Sequence, residues 1–305
     1  GIQYFDGLFD DARLAQSIAR SARHRGAVLM NYCRAEMSGR ADDGADVILL
    51  TRKDNSEQHT LRARCTIFAT GAWSGERVAV ARGSHIVLKD IGLSSGVLLP
   101  KTSDGRVLYM LPWLGHTLIG TTDIGVNHPD YSDTAPQVDI DWILRTANQA
   151  LHKPLDATQI TASFVGYRPL VRTPGAGKNS SQFSRAHLVE RVSERKLRVV
   201  GGKWTTYRRM AQDTLDAAIW HGILPKGKPC STDQLTLSPN PLLDNAWVTQ
   251  GQWRDEQIQE IVRNAVQEEA ACNADDILYR RLRTGFTDQS LAHILRPKIE
   301  QWLKT

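Results

Sequence analysis

The sequence predicts a protein of mixed α/β and α+β character. A sheet-and-helix part comes first, a mostly antiparallel sheet domain follows, and a small helical domain closes the chain. Three observations carry this. A helical stretch leads into strand-like runs over residues 1–81, short β-rich runs crowd residues 82–185 around one helix, and the chain beyond Asp255 has helical period. The expected limits are 1–81 for the first part, 82–185 for the antiparallel domain, 186–230 for a return to the first part, and 231–305 for the helical domain. A length of 305 residues suits two or three domains and a real core. With 41% hydrophobic and 23% charged residues the composition is ordinary globular usage, which excludes wholesale disorder.

Each element has its own warrant. Asp10 and Asp11 precede a stripe of Leu14, Ile18 and Ala22, and Arg23-His24-Arg25-Gly26 closes it. Acid at the start, base at the end and glycine at the stop suit a helix dipole, so a helix is expected, then a strand over Ala27–Met30. Val47–Thr51 and Leu61–Thr70 read as strands around a polar turn at Lys53–His59. Further strands are expected at His85–Leu88, Val97–Leu99, Val107–Leu111, Thr117–Gly120 and Ile160–Tyr167, with hairpin turns at Asp104-Gly105 and Leu114-Gly115-His116. Ile140, Ile143, Leu144 and Leu151 share one face of a helix over Asp139–Leu151. Ala186–Val192 and Leu197–Val200 continue the strands, and a helix from Thr205 to His221 stops at Gly222. A proline-bearing linker, Ile223–Leu243, precedes helices over Asp255–Glu269, Asn273–Leu282 and Asp288–Leu303. The chain opens on Gly1-Ile-Gln-Tyr-Phe-Asp6, already inside structured-looking sequence and without a signal-peptide pattern, which reads as a fragment.

The function classes narrow by charge and cysteine use. The 38 basic and 33 acidic side chains leave a net charge of +5, which suits a phosphate-bearing substrate, an anionic membrane surface or nucleic acid. The arginines are spread along the chain, so nucleic acid is the least favoured. Cys33, Cys65, Cys230 and Cys272 stand far apart, with no CxxC and no histidine cluster at metal spacing. Reduced thiols in a cytosolic setting are expected, and a zinc site is not. No apolar run approaches the roughly 18 residues of a membrane-spanning helix.

Four segments could carry chemistry. Cys65-Thr-Ile-Phe-Ala-Thr-Gly71 is an apolar run ending without side-chain bulk, where a cofactor could approach a strand's end; a buried strand that stops at a glycine turn is the plainer alternative. Gly201-Gly-Lys-Trp-Thr-Thr-Tyr-Arg208 puts two glycines and Lys203 at a helix start, an anion site, with Thr205 and Thr206 as candidate caps; a capped helix with a surface lysine is the alternative. Arg168 in Gly166-Tyr-Arg-Pro-Leu170 and Arg185 after Ser184 could grip a phosphate, or snorkel at the surface, and the apolar flanks of Arg168 favour its enclosure. His85 in Arg82-Gly-Ser-His85 could accept a proton near neutral pH or hydrogen-bond the backbone; Gly120-Thr-Thr-Asp123 could face a cofactor or be an ordinary turn. Pro174-Gly-Ala-Gly-Lys-Asn179 lacks the spacing and the Ser/Thr of a phosphate loop and reads as a hairpin tip. Arg280-Arg281-Leu-Arg283 reads as a solvated or helix-packing face, with membrane contact the weaker option.

Taken together, the segments resemble the FAD-dependent glycerol-3-phosphate dehydrogenases of the glycine-oxidase-like flavoprotein group. The matching stretches run in family order: Tyr4-Phe-Asp-Gly-Leu-Phe-Asp-Asp-Ala-Arg-Leu14, Ala69-Thr-Gly-Ala-Trp73, Arg82-Gly-Ser-His-Ile-Val87 and Ser103-Asp-Gly-Arg-Val107, then Leu111-Pro-Trp113, Ile119-Gly-Thr-Thr-Asp123, Tyr167-Arg-Pro-Leu170, Ser184-Arg185 and the Gly201–Arg208 string. Glu268-Glu-Ala270 and Asp276-Ile-Leu-Tyr-Arg-Arg281 resemble the family's C-terminal domain. The Gly201–Arg208 string is highly specific, whereas Ala-Thr-Gly is shared by many flavoproteins.

The resemblance implies oxidation of sn-glycerol 3-phosphate to dihydroxyacetone phosphate, with hydride passing to FAD and electrons onward to a membrane quinone. It implies a cytoplasmic enzyme, peripheral on the inner membrane, and allows a homodimer; nucleic acid is no partner. Carried over, Arg168 and Arg185 bind the substrate phosphate, and Lys203 sits near the flavin, where positive charge stabilises its reduced anion. Gly202, Trp204, Thr205 and Thr206 line the isoalloxazine, Gly71 passes close to FAD, and His85 is the candidate for polarising or deprotonating the substrate hydroxyl. The family's leading strand–GxGxxG–helix has no counterpart here, so 1–81 and 186–230 are expected to form an incomplete FAD-binding Rossmann-like domain in a truncated chain that by itself holds FAD poorly. Two other readings stay open: a glycerol-3-phosphate oxidase that reduces oxygen, and a non-catalytic phosphometabolite-binding fragment.

Overall fold

The computed structural model describes residues 1–102, 105–130, 134–172, 186–240, 242–243 and 254–304. Helix α1 (Asp11–Arg23) starts where the acidic pair predicts, with the Asp10 carboxylate accepting from the Arg13 N–H at 3.0 Å. No strand follows over Ala27–Met30: that stretch lies exposed, Val28 at 85%, and ladder pairing begins only at Cys33. Asn31 and Tyr32 instead tie the chain to Ala270 O (2.6 Å) and Asp276 Oδ1 (2.9 Å). Strands β1 (Cys33–Arg40), β2 (Asp46–Arg52) and β3 (Gln58–Ala63) form an antiparallel meander.

The expected strand Leu61–Thr70 is two strands in two sheets. β3 ends at Ala63, and β4 (Thr66–Phe68) crosses to pair with a strand from much later in the chain. Buried Asp46 fixes the switch: it accepts from Thr66 Oγ1 at 2.7 Å and pairs with Lys196 Nζ at 3.2 Å.

The central sheet holds β5 (Val78–Lys89), β6 (Val97–Leu99), β7 (Leu108–Trp113), β8 (His116–Gly120) and β10 (Ile160–Val171) in the order β10-β5-β8-β7-β6, with β9 (Ile124–Val126) also on β5. Its pairs are antiparallel, and β7 and β8 are joined through Leu114-Gly115, where the hairpin turn was expected. Alternation along the strands gives the sheet two faces. Ile86, Leu88, Met110 and Ile119 face helix α2 (Gln137–Asn148) and pack with its Ile143 and Ala147. Val87, Trp113, Ala162 and Phe164 face the other way and meet Phe286 from the end of the chain. His85 and Phe164 are opposite one another in the ladder and lie on this second face.

A third sheet, β11-β12-β4, joins β11 (His187–Ser193) antiparallel and β4 parallel to β12 (Lys196–Gly201), and α3 (Tyr207–Trp220) packs against it. α4 (Asp255–Glu269), α5 (Ala274–Leu278), α6 (Thr284–Thr287) and α7 (Gln289–Trp302) close over Ile258, Ile261, Leu278, Leu282, Leu295 and Ile299, all buried. The helix expected over Asn273–Leu282 ends at Leu278, and α6 was not anticipated.

The basic run is solvated at Arg280, whose side chain is 52% exposed, and packed at Arg281 and Arg283. Arg281 and Arg283 are buried; Arg281 Nε donates to Glu269 Oε2 (2.9 Å), while Arg283 pairs with Asp10 (3.2 Å) and Asp11 (2.8 Å). Helix α1 thereby docks on the C-terminal helices. Among the described residues, no helix is long and apolar enough to cross a membrane, and no cluster of His, Cys, Asp and Glu could hold a metal ion.

Candidate functional site

β12 ends at Gly201, and the chain turns through Gly201 and Gly202 (φ +72° and +84°) into a tight turn at Trp204–Thr206 and then α3. The Gly202 backbone conformation is one that L side chains rarely adopt, and a Cβ there would overlap the Met210 side chain and press within 3.2 Å of His187 Cβ. Gly202 is also among the residues that line a cavity of about 820 Å³ between α3 and the β10 and β12 strand ends. Apolar Ile67, Leu170, Val199 and Leu215 make walls, and Tyr167, Arg168, Gly202, Lys203 and Trp204 join the lining. The Trp204 ring, 40% exposed, leans on Tyr207 at 5.3 Å.

The expected caps act differently. Neither Thr205 nor Thr206 caps α3 through its side chain, because the intervening turn points the Thr206 hydroxyl back to Lys203. Thr206 Oγ1 donates to Lys203 O (3.0 Å) and accepts from Lys203 N (3.3 Å), so it pins the lysine's backbone. Gly71 opens a short turn after β4; Ile67 and Ala69 are the members of that segment in the cavity wall.

Arg168, half-buried on β10, reaches from the cavity to the turn after β8. Its Nη1 donates to Thr122 O (3.1 Å) and Nη2 to Thr121 Oγ1 (2.9 Å), with Asp123 Oδ1 at 3.7 Å. Held at two N–H groups, the guanidinium has a fixed plane. Gly83 makes room for it, since a Cβ there would come within 2.5 Å of Nη2. His85 lies along the same sheet face. Its ring stacks on Phe164 (4.9 Å, 11°) and crosses Gly120, where a Cβ would overlap it. Its Nδ1 is buried without a hydrogen-bond partner. Burial first, and the nearby Arg168 charge second, push the imidazole from its ordinary 6.5 down to about 4. His85 is uncharged at neutral pH, so it keeps the lone pair that a proton acceptor needs.

One buried residue organises this region and was read from the sequence only as the start of a helix. Asp139, 4% exposed in the first turn of α2, accepts from Arg82 Nε (3.1 Å) and Nη2 (3.3 Å), from Ser84 Oγ, and from Thr122 Oγ1 (3.3 Å). Thr122 Oγ1 in turn accepts from the Ser84 N–H at 2.9 Å. Asp139 thus joins the strand that carries Gly83 and His85 to the turn that holds Arg168. Nothing in the local sequence separates it from an ordinary acidic first turn; only the sheet pairing brings Arg82, Ser84 and Thr122 to it.

The structure gathers Arg168, Gly202, Lys203 and Trp204 around one cavity and sets His85 beside Arg168, outside the cavity lining. Arg185 and the Pro174–Asn179 segment lie outside the described residues.

Residues 1–201 match the protein family described as FAD dependent oxidoreductase. The chain is 33% identical over 250 residues to glycerol-3-phosphate dehydrogenase 2 of Mycobacterium tuberculosis H37Rv, covering 78% of this chain and 42% of that protein. It is 30% identical over 285 residues to the mitochondrial glycerol-3-phosphate dehydrogenase of Saccharomyces cerevisiae, covering 77% and 43%. The chain thus spans about two-fifths of the length of these relatives. The fold is similar to that of the glycerol-3-phosphate dehydrogenase from Bacillus halodurans complexed with FAD, with a TM-score of 0.77 and 24% identity over 96% of this chain and 68% of that one. The sheet-and-helix part, the antiparallel sheet and the closing helices are therefore one shared architecture, and the chain belongs to the FAD dependent oxidoreductase family.

Proposed function

We propose that this chain carries the flavin-facing and phosphate-binding parts of an enzyme that oxidises sn-glycerol 3-phosphate to dihydroxyacetone phosphate with FAD. The observation that carries the reading is the meeting of Arg168 and Lys203, from separate elements, around one cavity with the bare Gly202 backbone. The cavity suits a flavin ring. Its volume of about 820 Å³ is that of a small-molecule pocket, its walls are largely apolar, and Gly202 keeps side-chain bulk away from the backbone a flat ring would approach. The names of the relatives supply the substrate.

Bound FAD supplies a two-electron acceptor for the hydride that leaves C2 of glycerol 3-phosphate. Arg168, its plane fixed by Thr121 and Thr122, binds the substrate phosphate. Lys203 contributes positive charge at the cavity, where negative charge grows as the acceptor is reduced. His85 takes the proton of the C2 hydroxyl as the carbonyl forms. Its low basicity comes partly from Arg168, so a phosphate dianion on Arg168 offsets that repulsion and makes His85 a better base once substrate is bound. The final acceptor of this reading is a membrane quinone, and the net charge of +5 favours a membrane surface where the lipids are anionic.

The test is product formation by the FAD-loaded chain, with a soluble quinone and with oxygen as alternative acceptors. Dihydroxyacetone phosphate formed with quinone supports the reading, and peroxide formed in its place makes the enzyme an oxidase. Arg168→Ala is expected to raise KM for glycerol 3-phosphate about 10–100-fold, the loss of a charge-assisted hydrogen bond to an anion. A chain that binds glycerol 3-phosphate but neither FAD nor any acceptor would be a binding fragment and would overturn the catalytic reading.

A further inference from the structure

We propose that Phe286, carried by the C-terminal helical unit, is a positioning residue for His85, so that this unit forms the back wall of the reaction site. The inference rests on the reading of His85 as a site residue and adds to it a part of the chain remote in sequence.

The geometry is a stack that crosses from one unit to the other. The His85 ring lies flat on Phe164, and Phe164 is backed by Phe286 at 5.1 Å and 57°. Phe286 is itself held by Tyr279 edge-on at 5.1 Å, by Trp113 at 6.3 Å, and by the Arg283 guanidinium 5.4 Å from its ring centre. With Gly120 closing the other side, Phe164 and behind it Phe286 back the His85 ring, so a change at Phe286 reaches His85 through Phe164.

α6 is fastened for this purpose from three directions. Thr161 Oγ1, on β10, lies 3.1 Å from both Val87 O and Phe286 O and bridges the sheet to the helix. Arg283, at the head of α6 with φ +64°, donates to Tyr279 O at 2.8 Å and pairs with Asp10 and Asp11 at the start of α1. Gly285 lies so close under Tyr279 that a Cβ would overlap the ring. The fully buried residues of the helical core are aliphatic, with Tyr279 and Trp302 packed against them, and Tyr279 joins that core to Phe286.

The charged groups that act on His85 come from other elements: Arg168 on β10, which lowers its basicity, and Asp11 on α1, which raises it. Asp123 stands behind Arg168, and Arg283 behind Phe286. Substituting Phe286 removes none of these charges, so any change in His85 reports on its packing.

The test is the protonation of His85 in the full chain without FAD or substrate, followed by NMR of the histidine rings, with His85→Gln identifying the signal. With a pKa of about 4, His85 in the parent chain stays about nine-tenths neutral at pH 5. In Phe286→Ala water reaches the stack, and the midpoint is expected to rise by about one pH unit or more, a tenfold gain in proton affinity. Phe286→Leu keeps most of the volume and is expected to give a smaller rise, about threefold; it decides the matter by itself if the alanine variant does not fold. Leu295→Ala weakens the same helical unit without touching the stack and is expected to leave His85 where it was. Unchanged protonation in the folded Phe286 variants, or an equal rise in Leu295→Ala, overturns the proposal. Because no flavin is present, failure of the chain to bind FAD would refute the proposed activity and leave this result standing.

Discussion

Asp139→Asn tests the scaffold of the site most sharply. The substitution keeps the shape and removes the charge at a residue that is 4% exposed. Oδ2 accepts from Arg82 Nε, Ser84 Oγ and Thr122 Oγ1, so the amide oxygen must take that place. The amide NH2 is then driven against Arg82 Nη2, now 3.3 Å from Oδ1, and two donors face one another. Breaking a buried ion pair by removing one partner costs about 3–5 kcal/mol. The Arg82 side chain is 20% exposed and can recover some hydration, and the two retained neutral hydrogen bonds return about 1 kcal/mol each, which leaves a net loss of about 1–3 kcal/mol. Urea unfolding at pH 7 reads it as a lower midpoint at unchanged m. Because Thr122 also presents its carbonyl to Arg168, KM for glycerol 3-phosphate is expected to rise severalfold in the same variant. A midpoint that reports less than about 0.5 kcal/mol of destabilisation, within the range of ordinary surface substitutions, would refute the role assigned to this network.

Three further outcomes follow from the same contacts. Gly120→Ala is expected to cost about 1–3 kcal/mol in urea unfolding, because its Cβ enters the space of the His85 ring; a neutral result would mean the ring does not cross Gly120. Acid should destabilise the fold through His85. Its folded pKa of about 4 lies below the ordinary 6.5, so the unfolded chain binds the proton first, and stability that is full above pH 6.5 is lost as pH falls towards 4, by about 2 kcal/mol at pH 5. His85→Gln should flatten that slope between pH 7 and pH 5, and an unchanged slope would assign the acid loss elsewhere. Arg281→Met should cost about 2–3 kcal/mol, because Glu269 loses its Arg281 partner but keeps Asn240 Nδ2 at 2.8 Å and Arg20 at 3.8 Å, and the Arg281→Met, Glu269→Leu double variant should lose less than the sum of the two single variants; additive losses in a double-mutant cycle would contradict the pairing.

Much of the fold was legible because its signals are local. The Asp10-Asp11 start of α1, the aliphatic stripe of α2 and the Leu114-Gly115 hairpin each follow from residues within one or two turns of the chain. What escaped depended on partners far away. Ala27–Met30 has the composition of a strand but no neighbour to pair with, and Leu61–Thr70 reads as one strand because periodicity does not reveal that its halves join different sheets. The site divides the same way. Gly202, Lys203 and Trp204 stand together in the sequence, and their string of residue types is distinctive. Asp139 and Phe286 enter it only through sheet pairing and docking of the helical unit, 17 positions from Thr122 in one case and 125 from Thr161 in the other. The arginine run at 280–283 shows the converse: charge alone left a solvated and a helix-packing face open, and the distant partners Glu269, Asp10 and Asp11 make burial of Arg281 and Arg283 tolerable.

The central claim is that the cavity beside Gly202 takes a flavin whose reduction is coupled to glycerol 3-phosphate bound at Arg168. The visible absorption spectrum of the chain after incubation with FAD and removal of the unbound cofactor, before and after anaerobic addition of glycerol 3-phosphate, tests it most directly. The account predicts a protein-bound flavin band that bleaches with substrate, and that bleaches only at far higher substrate concentration in Arg168→Ala. A chain that retains no flavin, or a bound flavin indifferent to glycerol 3-phosphate, would contradict it.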